Sequence, residues 1–135
     1  MNNADFFMGV RVYIEDTDAA GIVYYVNYLK FMERARSDWL RCLGLTQAQL
    51  RADGVKFVVS RCAVEFHQPA RLDDDLRVTV DVKQIGHASL IFRQEVYRED
   101  ELLCAADVKV ACIHSDRMQP VALPADIRRQ LVNEE

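Results

Sequence analysis

The sequence predicts an α+β fold in which one long helix lies on one face of an antiparallel five-stranded sheet. A strand pattern comes first, at residues 10–15, and a long helical pattern follows at residues 27–43. Four further strand patterns then succeed one another, and the last three are separated by short turns. A long amphipathic helix ahead of such strands must lay its apolar side on one face of the sheet. A helix packed on an antiparallel sheet defines the α+β class.

The first two elements follow from different hydrophobic periods. At residues 10–15, apolar Val10, Val12 and Ile14 alternate with other side chains, as in a half-buried strand. In the helical pattern, apolar residues recur every three or four positions, at Tyr28, Met32, Ala35, Trp39 and Leu43. The pattern predicts about five turns and a length of about 25 Å, and Gly44 ends the helix.

The rest of the chain continues with a short helix, four strands and a terminal helix. Thr46 and Gln49 have the spacing of a capping box that opens the short helix, and residues 53–54 end it. Pro124 precedes the terminal helix, which is predicted over residues 125–132. The four strands are predicted at residues 57–67, 75–84, 89–98 and 102–114.

The composition of the chain predicts one globular domain spanning residues 1–135. Hydrophobic residues make up 50% and charged residues 28%, so the chain can bury a core. The net charge of −4 argues against a nucleic-acid partner, because nucleic-acid-binding domains present a basic face. The apolar runs are too short to cross a bilayer, and the first seven residues lack the features of a signal peptide. We therefore predict a cytoplasmic protein without membrane insertion.

The four cysteines show no metal-binding or redox pattern. Cys42, Cys62, Cys104 and Cys112 form no C-x-x-C pair, and none stands beside a histidine at ligand spacing. We therefore predict reduced thiols that are buried as small hydrophobic groups, and no metal site.

The most informative segment is the turn between the first strand and the long helix. Asp16 and Asp18 lie in it, and Gly21 allows the backbone a positive φ. A carboxylate beside the free N–H groups of a helix start is suited to act on a carbonyl group, because acid–base chemistry and oxyanion stabilisation then act together. The residues alone leave a second interpretation open, in which both carboxylates only accept hydrogen bonds from the turn backbone.

This turn and the start of the helix resemble a known family. Residues 11–24, 27–29 and 31–36 are similar to hotdog-fold thioesterases of the 4-hydroxybenzoyl-CoA thioesterase family. Within that family the chain looks most like the Tol–Pal-associated acyl-CoA thioesterases, with weaker matches at residues 70–74 and 108–112. The resemblance implies the hotdog fold, a sheet wrapped around a long central helix, and hydrolysis of acyl-CoA to a carboxylic acid and CoA.

The resemblance also implies roles for individual residues. Asp18 matches the acid that acts as general base or nucleophile, and the backbone N–H of Tyr25 matches the donor that polarises the thioester carbonyl. The family has its active site at a dimer interface, pairs dimers into tetramers and needs no metal or redox cofactor. We therefore expect a homotetramer, a dimer of dimers, that acts on acyl-CoA.

Candidate substrate contacts lie around these two groups. They are Gly21, Tyr24, Tyr28 and Glu33, although the same pattern allows packing roles for both tyrosines and a solvated position for Glu33. The acyl carrier can be CoA or an acyl-carrier protein. A non-catalytic module that binds acyl-CoA or acyl-carrier protein is the alternative function. A hotdog dehydratase is disfavoured, because that chemistry relies on a histidine and residues 16–43 contain none.

Overall fold

The computed structural model describes residues 6–133, and residues 1–5, considered above for a signal peptide, lie outside this range. Three α-helices and six strands occur among the described residues. In chain order they are β1 (Phe7–Arg11), α1 (Val26–Cys42), α2 (Gln47–Ala52), β2 (Val55–Phe66), β3 (Asp75–Thr79), β4 (Asp81–Ile85), β5 (Ser89–Arg98), β6 (Glu101–His114) and α3 (Ala125–Asn133). None of the described helices is long and apolar enough to cross a membrane.

All six strands belong to one sheet in which paired strands run antiparallel. The order is β1-β3-β5-β6-β2, and β4 also pairs with β5. Helix α1 lies against this sheet, since the rings of Trp39 in α1 and Phe92 in β5 meet edge-on with centroids 5.2 Å apart. The buried side chains of α1 follow the helical period and are Asn27, Tyr28, Phe31, Met32, Ala35, Trp39 and Leu40.

A buried glutamine ties α1 to the sheet. Nε2 of Gln94 in β5 donates to the carbonyl oxygens of Met32 at 3.0 Å and Thr79 at 3.3 Å. Oε1 of Gln94 accepts from the Arg36 guanidinium at 2.8 Å. A buried amide is costly unless it is hydrogen-bonded. Here the amide nitrogen bonds the backbone of α1 at Met32, and the amide oxygen bonds the side chain of Arg36 in the same helix.

The sheet has six strands instead of the predicted five, because the predicted strand 75–84 is interrupted at Val80. Next to the break, the Glu95 N–H donates to the Thr79 side-chain hydroxyl at 2.9 Å, and Gln94 donates to the Thr79 carbonyl oxygen. Side-chain hydrogen bonds thus replace regular ladder bonds at this point. The two halves, β3 and β4, both pair with β5.

The first strand lies earlier than predicted, at Phe7–Arg11 instead of residues 10–15. Residues Ile14–Asp16 form a turn of 3-10 helix instead. The Tyr13 N–H donates to Asp16 Oδ2 at 2.9 Å, and Thr17 Oγ1 donates to the Ile14 carbonyl oxygen at 2.7 Å. These short-range bonds compete with strand pairing. Burial follows the predicted alternation at Val10 and Val12 but not at Ile14, which is 76% exposed.

The helix boundaries agree with the predictions to within one residue. Gly44, at φ +85°, follows α1, and its N–H donates to the Arg41 carbonyl oxygen at 2.9 Å. The predicted capping box of α2 is confirmed: the Gln49 N–H donates to Thr46 Oγ1 at 3.1 Å, and the Thr46 N–H donates to Gln49 Oε1 at 3.0 Å. Local signals of this kind are encoded in a few adjacent residues, which is why they could be predicted.

The cysteines divide into two pairs with different environments. Cys104 and Cys112 are buried, and burial raises their pKa values to about 12 and about 11. Cys42 and Cys62 are exposed, so the prediction that all four thiols are buried was wrong for these two. All four are free thiols, as predicted.

We expect iodoacetamide to alkylate Cys42 in the native protein at pH 8 and to spare Cys104 and Cys112. A thiol with a pKa of about 12 is ionised in only about one molecule in 10,000 at this pH, and the thiolate is the reactive form. Peptide mass spectrometry at increasing urea concentrations measures the order of modification. Alkylation of Cys104 at the same rate as Cys42 in the absence of urea would contradict this assignment.

Candidate active site

A small hairpin precedes α1 and carries the two acids of the turn motif. Thr17 and Val23 pair across it, and the Asp18 N–H donates to the Ile22 carbonyl oxygen at 3.0 Å. The Gly21 N–H closes the turn on the Asp18 carbonyl oxygen at 3.0 Å, with Gly21 at φ +82°. A side chain at this φ would be strained, which confirms the predicted backbone role of Gly21.

Each acid accepts a hydrogen bond from a nearby backbone N–H, Asp18 within the hairpin and Asp16 in the 3-10 turn that precedes it. Oδ1 of Asp18 accepts from the Ala20 N–H at 2.9 Å, and Oδ2 of Asp16 accepts from the Tyr13 N–H at 2.9 Å. The turn-holding role that the residue pattern left open is therefore observed for both side chains. Asp18 is exposed, and within residues 6–133 its Oδ2 accepts no hydrogen bond. This oxygen is available to a bound molecule.

The start of α1 offers unused backbone donors. Tyr25 precedes the helix with φ −58° and ψ −30°, and in the described part of the chain the N–H groups of Tyr25 and Val26 donate to no acceptor. No acidic residue lies in the first turn to offset the positive end of the helix dipole. Donors of this kind stabilise a developing negative charge on an oxygen atom.

A buried asparagine fixes this end of the helix. Nδ2 of Asn27 donates to the Asp16 carbonyl oxygen at 2.8 Å, so the helix start is bound to the hairpin. The Tyr24 N–H donates to the same oxygen at 2.9 Å. Asn27 was not predicted as a site residue. Its signal in the sequence is a polar side chain beside the apolar positions of the helix, and that signal does not reveal a partner.

An aromatic cleft of about 290 Å³ opens beside the helix start. The Phe66 ring forms one wall, with centroid distances of 6.0 Å to Tyr25 and 5.7 Å to Tyr28. Tyr28 is buried, and its hydroxyl oxygen accepts from the Ala70 N–H at 3.0 Å. Burial raises the pKa of Tyr28, so the hydroxyl stays neutral. The full lining is Ile22, Val23, Tyr25, Tyr28, Phe66, His67, Gln68 and Pro69.

A second cavity, the helix–strand groove, runs between α1 and β2 and measures about 440 Å³. Its walls are largely apolar, with Val59 and Cys62 on the strand side. Glu33 lines the groove and accepts from Ser37 Oγ at 3.2 Å. Arg36 lies beside it, and burial lowers the pKa of Arg36 while the nearby Glu33 carboxylate opposes that shift. Glu33 therefore lines a cavity whose other lining residues include the charged Arg36 and the apolar Val59.

The structure brings only some of the predicted site residues together. Tyr25 and Tyr28 line the aromatic cleft, and Glu33 lines the helix–strand groove. Asp18, Gly21 and Tyr24 are not among the described residues that line either cavity. Phe66 was missed because it gains its place from ring contacts with residues far away in the chain. Asn27 was missed because a polar side chain near a helix start does not reveal its partner, here the Asp16 carbonyl oxygen eleven residues earlier.

Comparison with known proteins identifies the family of this chain. The family model of the thioesterase-like superfamily matches residues 12–131. The chain belongs to the thioesterase-like superfamily. This thioesterase-like protein is 43% identical to the acyl-CoA thioesterase YbgC of Haemophilus influenzae over 124 residues, which cover 91% of either chain.

Two further relatives support the same family. The acyl-CoA thioester hydrolase YbgC of Escherichia coli O157:H7 is 44% identical over 128 residues, covering 94% of this chain and 96% of that protein. The crystal structure of a probable thioesterase from Bartonella henselae superposes with a TM-score of 0.83 at 32% identity, covering 87% of this chain and 98% of that one. The predicted family, hotdog fold and thioesterase class are confirmed, whereas the roles of individual residues stay predictions.

Proposed function

We propose that this thioesterase-like protein hydrolyses acyl-CoA to a carboxylic acid and CoA. The observation that carries the proposal is its 43% and 44% identity to two acyl-CoA thioesterases, over 91% and 94% of the chain. The available Asp18 oxygen and the unused N–H of Tyr25 support it. The reaction needs no metal and no redox cofactor, because a thiolate is a good leaving group.

We assign the chemistry to Asp18 and the backbone of Tyr25. As a nucleophile, Asp18 Oδ2 attacks the thioester carbonyl carbon, the C–S bond breaks, CoA leaves as thiolate, and water hydrolyses the resulting anhydride. As a general base, the same oxygen takes a proton from a water molecule that attacks the carbon directly. In both courses the Tyr25 N–H donates to the carbonyl oxygen as negative charge develops there. The bond from Ala20 to Oδ1 leaves Oδ2 as the reacting atom.

The proposed substrate contacts follow from where the carbonyl group would lie. With its oxygen at the Tyr25 N–H, an acyl group extends into the aromatic cleft, along the wall formed by the rings of Tyr28 and Phe66. Tyr24 is exposed beside Tyr25, with ring centroids 5.1 Å apart, and would cover the thioester. Gly21 would allow the substrate to approach the turn closely. Glu33 would contact any part of the substrate that enters the helix–strand groove.

A second copy of the chain completes the site in this proposal, because Asp18 and the aromatic cleft share no cavity within one chain. Strand β2 is the last strand of the sheet, and within residues 6–133 its outer edge pairs with no other strand. Such an edge can pair with the same strand of another copy. We therefore propose dimers joined along β2 that assemble further into a homotetramer.

We expect Val59→Lys to reduce the native assembly to a single chain of 15.5 kDa and to reduce hydrolysis with it. Val59 is 51% exposed on the edge strand, and a lysine there would place a charge inside the proposed interface. Size-exclusion chromatography with light scattering measures the mass. Val132→Lys is the matched control, because this valine is 53% exposed on α3. A wild-type protein that is monomeric and fully active would contradict the proposed interface.

A thiol-release assay over a series of acyl-CoA substrates tests the reaction itself. The series runs from acetyl-CoA to palmitoyl-CoA and includes benzoyl-CoA, with acyl-carrier-protein thioesters of the same chain lengths in parallel. Turnover with CoA substrates supports the proposal, and turnover with the carrier-protein series alone would reassign the carrier. Saturable binding without thiol release would instead support the alternative, a non-catalytic acyl-CoA or acyl-carrier-protein binding module. The cytoplasmic location stays a prediction.

A further inference from the structure

The 69–74 loop, which joins β2 to β3, contacts both elements of the candidate site. The Val23 N–H donates to the Ala70 carbonyl oxygen at 2.9 Å, and the Ala70 N–H donates to the Tyr28 hydroxyl oxygen at 3.0 Å. Ile22 and Arg71 form a further β-bridge. The loop is therefore hydrogen-bonded to the hairpin and to the start of α1 at the same time.

A single arginine on β5 holds both ends of this loop. Nη1 of Arg98 donates to the Pro69 carbonyl oxygen at 3.1 Å and to Asp74 Oδ2 at 2.7 Å. Nη2 donates to Glu101 Oε1 at 2.6 Å, which orients the guanidinium. The side chains of Arg98 and Asp74 are only 24% and 21% exposed, so solvent screens this pair weakly. Pro69 also lines the aromatic cleft, so the bond reaches the cavity wall directly.

The ionisation of Asp74 is consistent with this arrangement. Burial alone would raise its pKa, but the hydrogen bonds from the Arg71 N–H and from Arg98 outweigh burial and lower the pKa of Asp74. The carboxylate is therefore charged at neutral pH and available to both donors. Removing the guanidinium would leave this carboxylate and the Pro69 carbonyl with fewer partners, and the loop would gain freedom.

We propose that Arg98 is a positioning residue for thioester hydrolysis, acting through the 69–74 loop on Val23 and Tyr28. The inference rests on the proposed function and adds a residue that, within residues 6–133, donates no side-chain hydrogen bond to the hairpin or to α1. Small displacements of the carbonyl donor relative to the attacking group lower the rate of the chemical step. They affect binding of the remote CoA portion much less.

Steady-state kinetics of Arg98→Met test this role. We expect kcat to fall about tenfold with KM changed by less than about twofold, and Arg98→Lys to recover part of the loss, because lysine restores a charged donor to Asp74. Arg93→Met is the matched control: Arg93 lies on the same strand and has two ion-pair partners, Glu95 and Asp107, away from the loop. It should keep the wild-type kcat.

Hydrogen exchange of the peptide covering residues 22–28 provides a measurement that does not require activity. In Arg98→Met this peptide should exchange several-fold faster than in the wild type and in Arg93→Met, because the bond between Val23 and Ala70 opens more often. Unchanged exchange and unchanged kcat would overturn the inference, as would an equal loss of kcat in both variants. If Arg98→Met does not fold, Asp74→Asn serves as the second variant, with the same outcomes expected. A wild-type protein that releases no thiol refutes the proposed function instead, and hydrogen exchange then still decides whether Arg98 holds the loop.

Discussion

Replacing Tyr25 by proline is expected to lower kcat about 10²–10³-fold and to leave the fold intact, because proline removes one oxyanion donor together with a ring that is 58% exposed. Tyr25 has φ −58°, which lies within the range of a proline ring, about −65 ± 15°. Its N–H donates to no acceptor in the described part of the chain, so no hydrogen bond of the fold is lost. Hydrolysis kinetics and thermal unfolding followed by circular dichroism measure the two effects.

The control for this variant is Tyr25→Ala, which removes the ring but retains the N–H. It loses the ring contacts to Tyr24 and Phe66 and should therefore alter KM or the preference among acyl groups, while kcat for the best substrate falls far less. If the alanine and proline variants lose kcat equally, the ring matters and the backbone donor does not. The assignment of the Tyr25 N–H would then be wrong.

Replacing Asp18 by asparagine is expected to lower kcat about 10³-fold, the usual contribution of a positioned general base or nucleophile. An amide neither attacks the carbonyl carbon nor accepts a proton from water at neutral pH. The fold should persist, because asparagine Oδ1 can still accept from the Ala20 N–H and hold the turn. Thiol release and the unfolding temperature separate the two effects.

Asp16→Asn is the matched control, since Asp16 likewise holds a local turn through one side-chain oxygen, in the 3-10 helix just before the hairpin. We expect it to retain most of the activity. Activity of Asp18→Asn above one-tenth of the wild-type value would show that the carboxylate only supports the turn. In wild-type protein, a single turnover in water labelled with oxygen-18 distinguishes the two mechanisms, because the label enters Asp18 only if its side chain attacks the substrate.

The helices could be predicted from the sequence because their signals are local. The apolar stripe of α1 and the capping box at Thr46 depend on residues a few positions apart. The ends of the strands could not be predicted in this way. The interruption at Val80 depends on Gln94, whose amide reaches Thr79 from fifteen residues further along the chain. The bonds around Asp16 likewise replaced a strand with a turn where the alternating pattern favoured extension.

The candidate site shows the same division. The positive φ of Gly21 and a helix that begins within one residue of position 27 follow from adjacent residues and were predictable. The aromatic cleft was not, because Phe66 reaches Tyr25 and Tyr28 only through the pairing of β2 with β6 and the packing of α1. The role of Arg98 depends on a loop that begins 29 residues earlier, and no pattern along the chain connects them.

The amide of Gln94 prevents α1 from sliding in small steps along the strands beneath it. A slip of one residue, about 1.5 Å, would break its bonds to the Met32 carbonyl oxygen and the Arg36 guanidinium, and would leave buried polar atoms unpaired, at about 1–3 kcal/mol each. The position of the helix start relative to the strands is therefore fixed, even when residues that line the aromatic cleft change. Mutations at positions such as Phe66 can then retune which acyl group fits without disturbing where bond cleavage takes place, a separation that makes the scaffold evolvable.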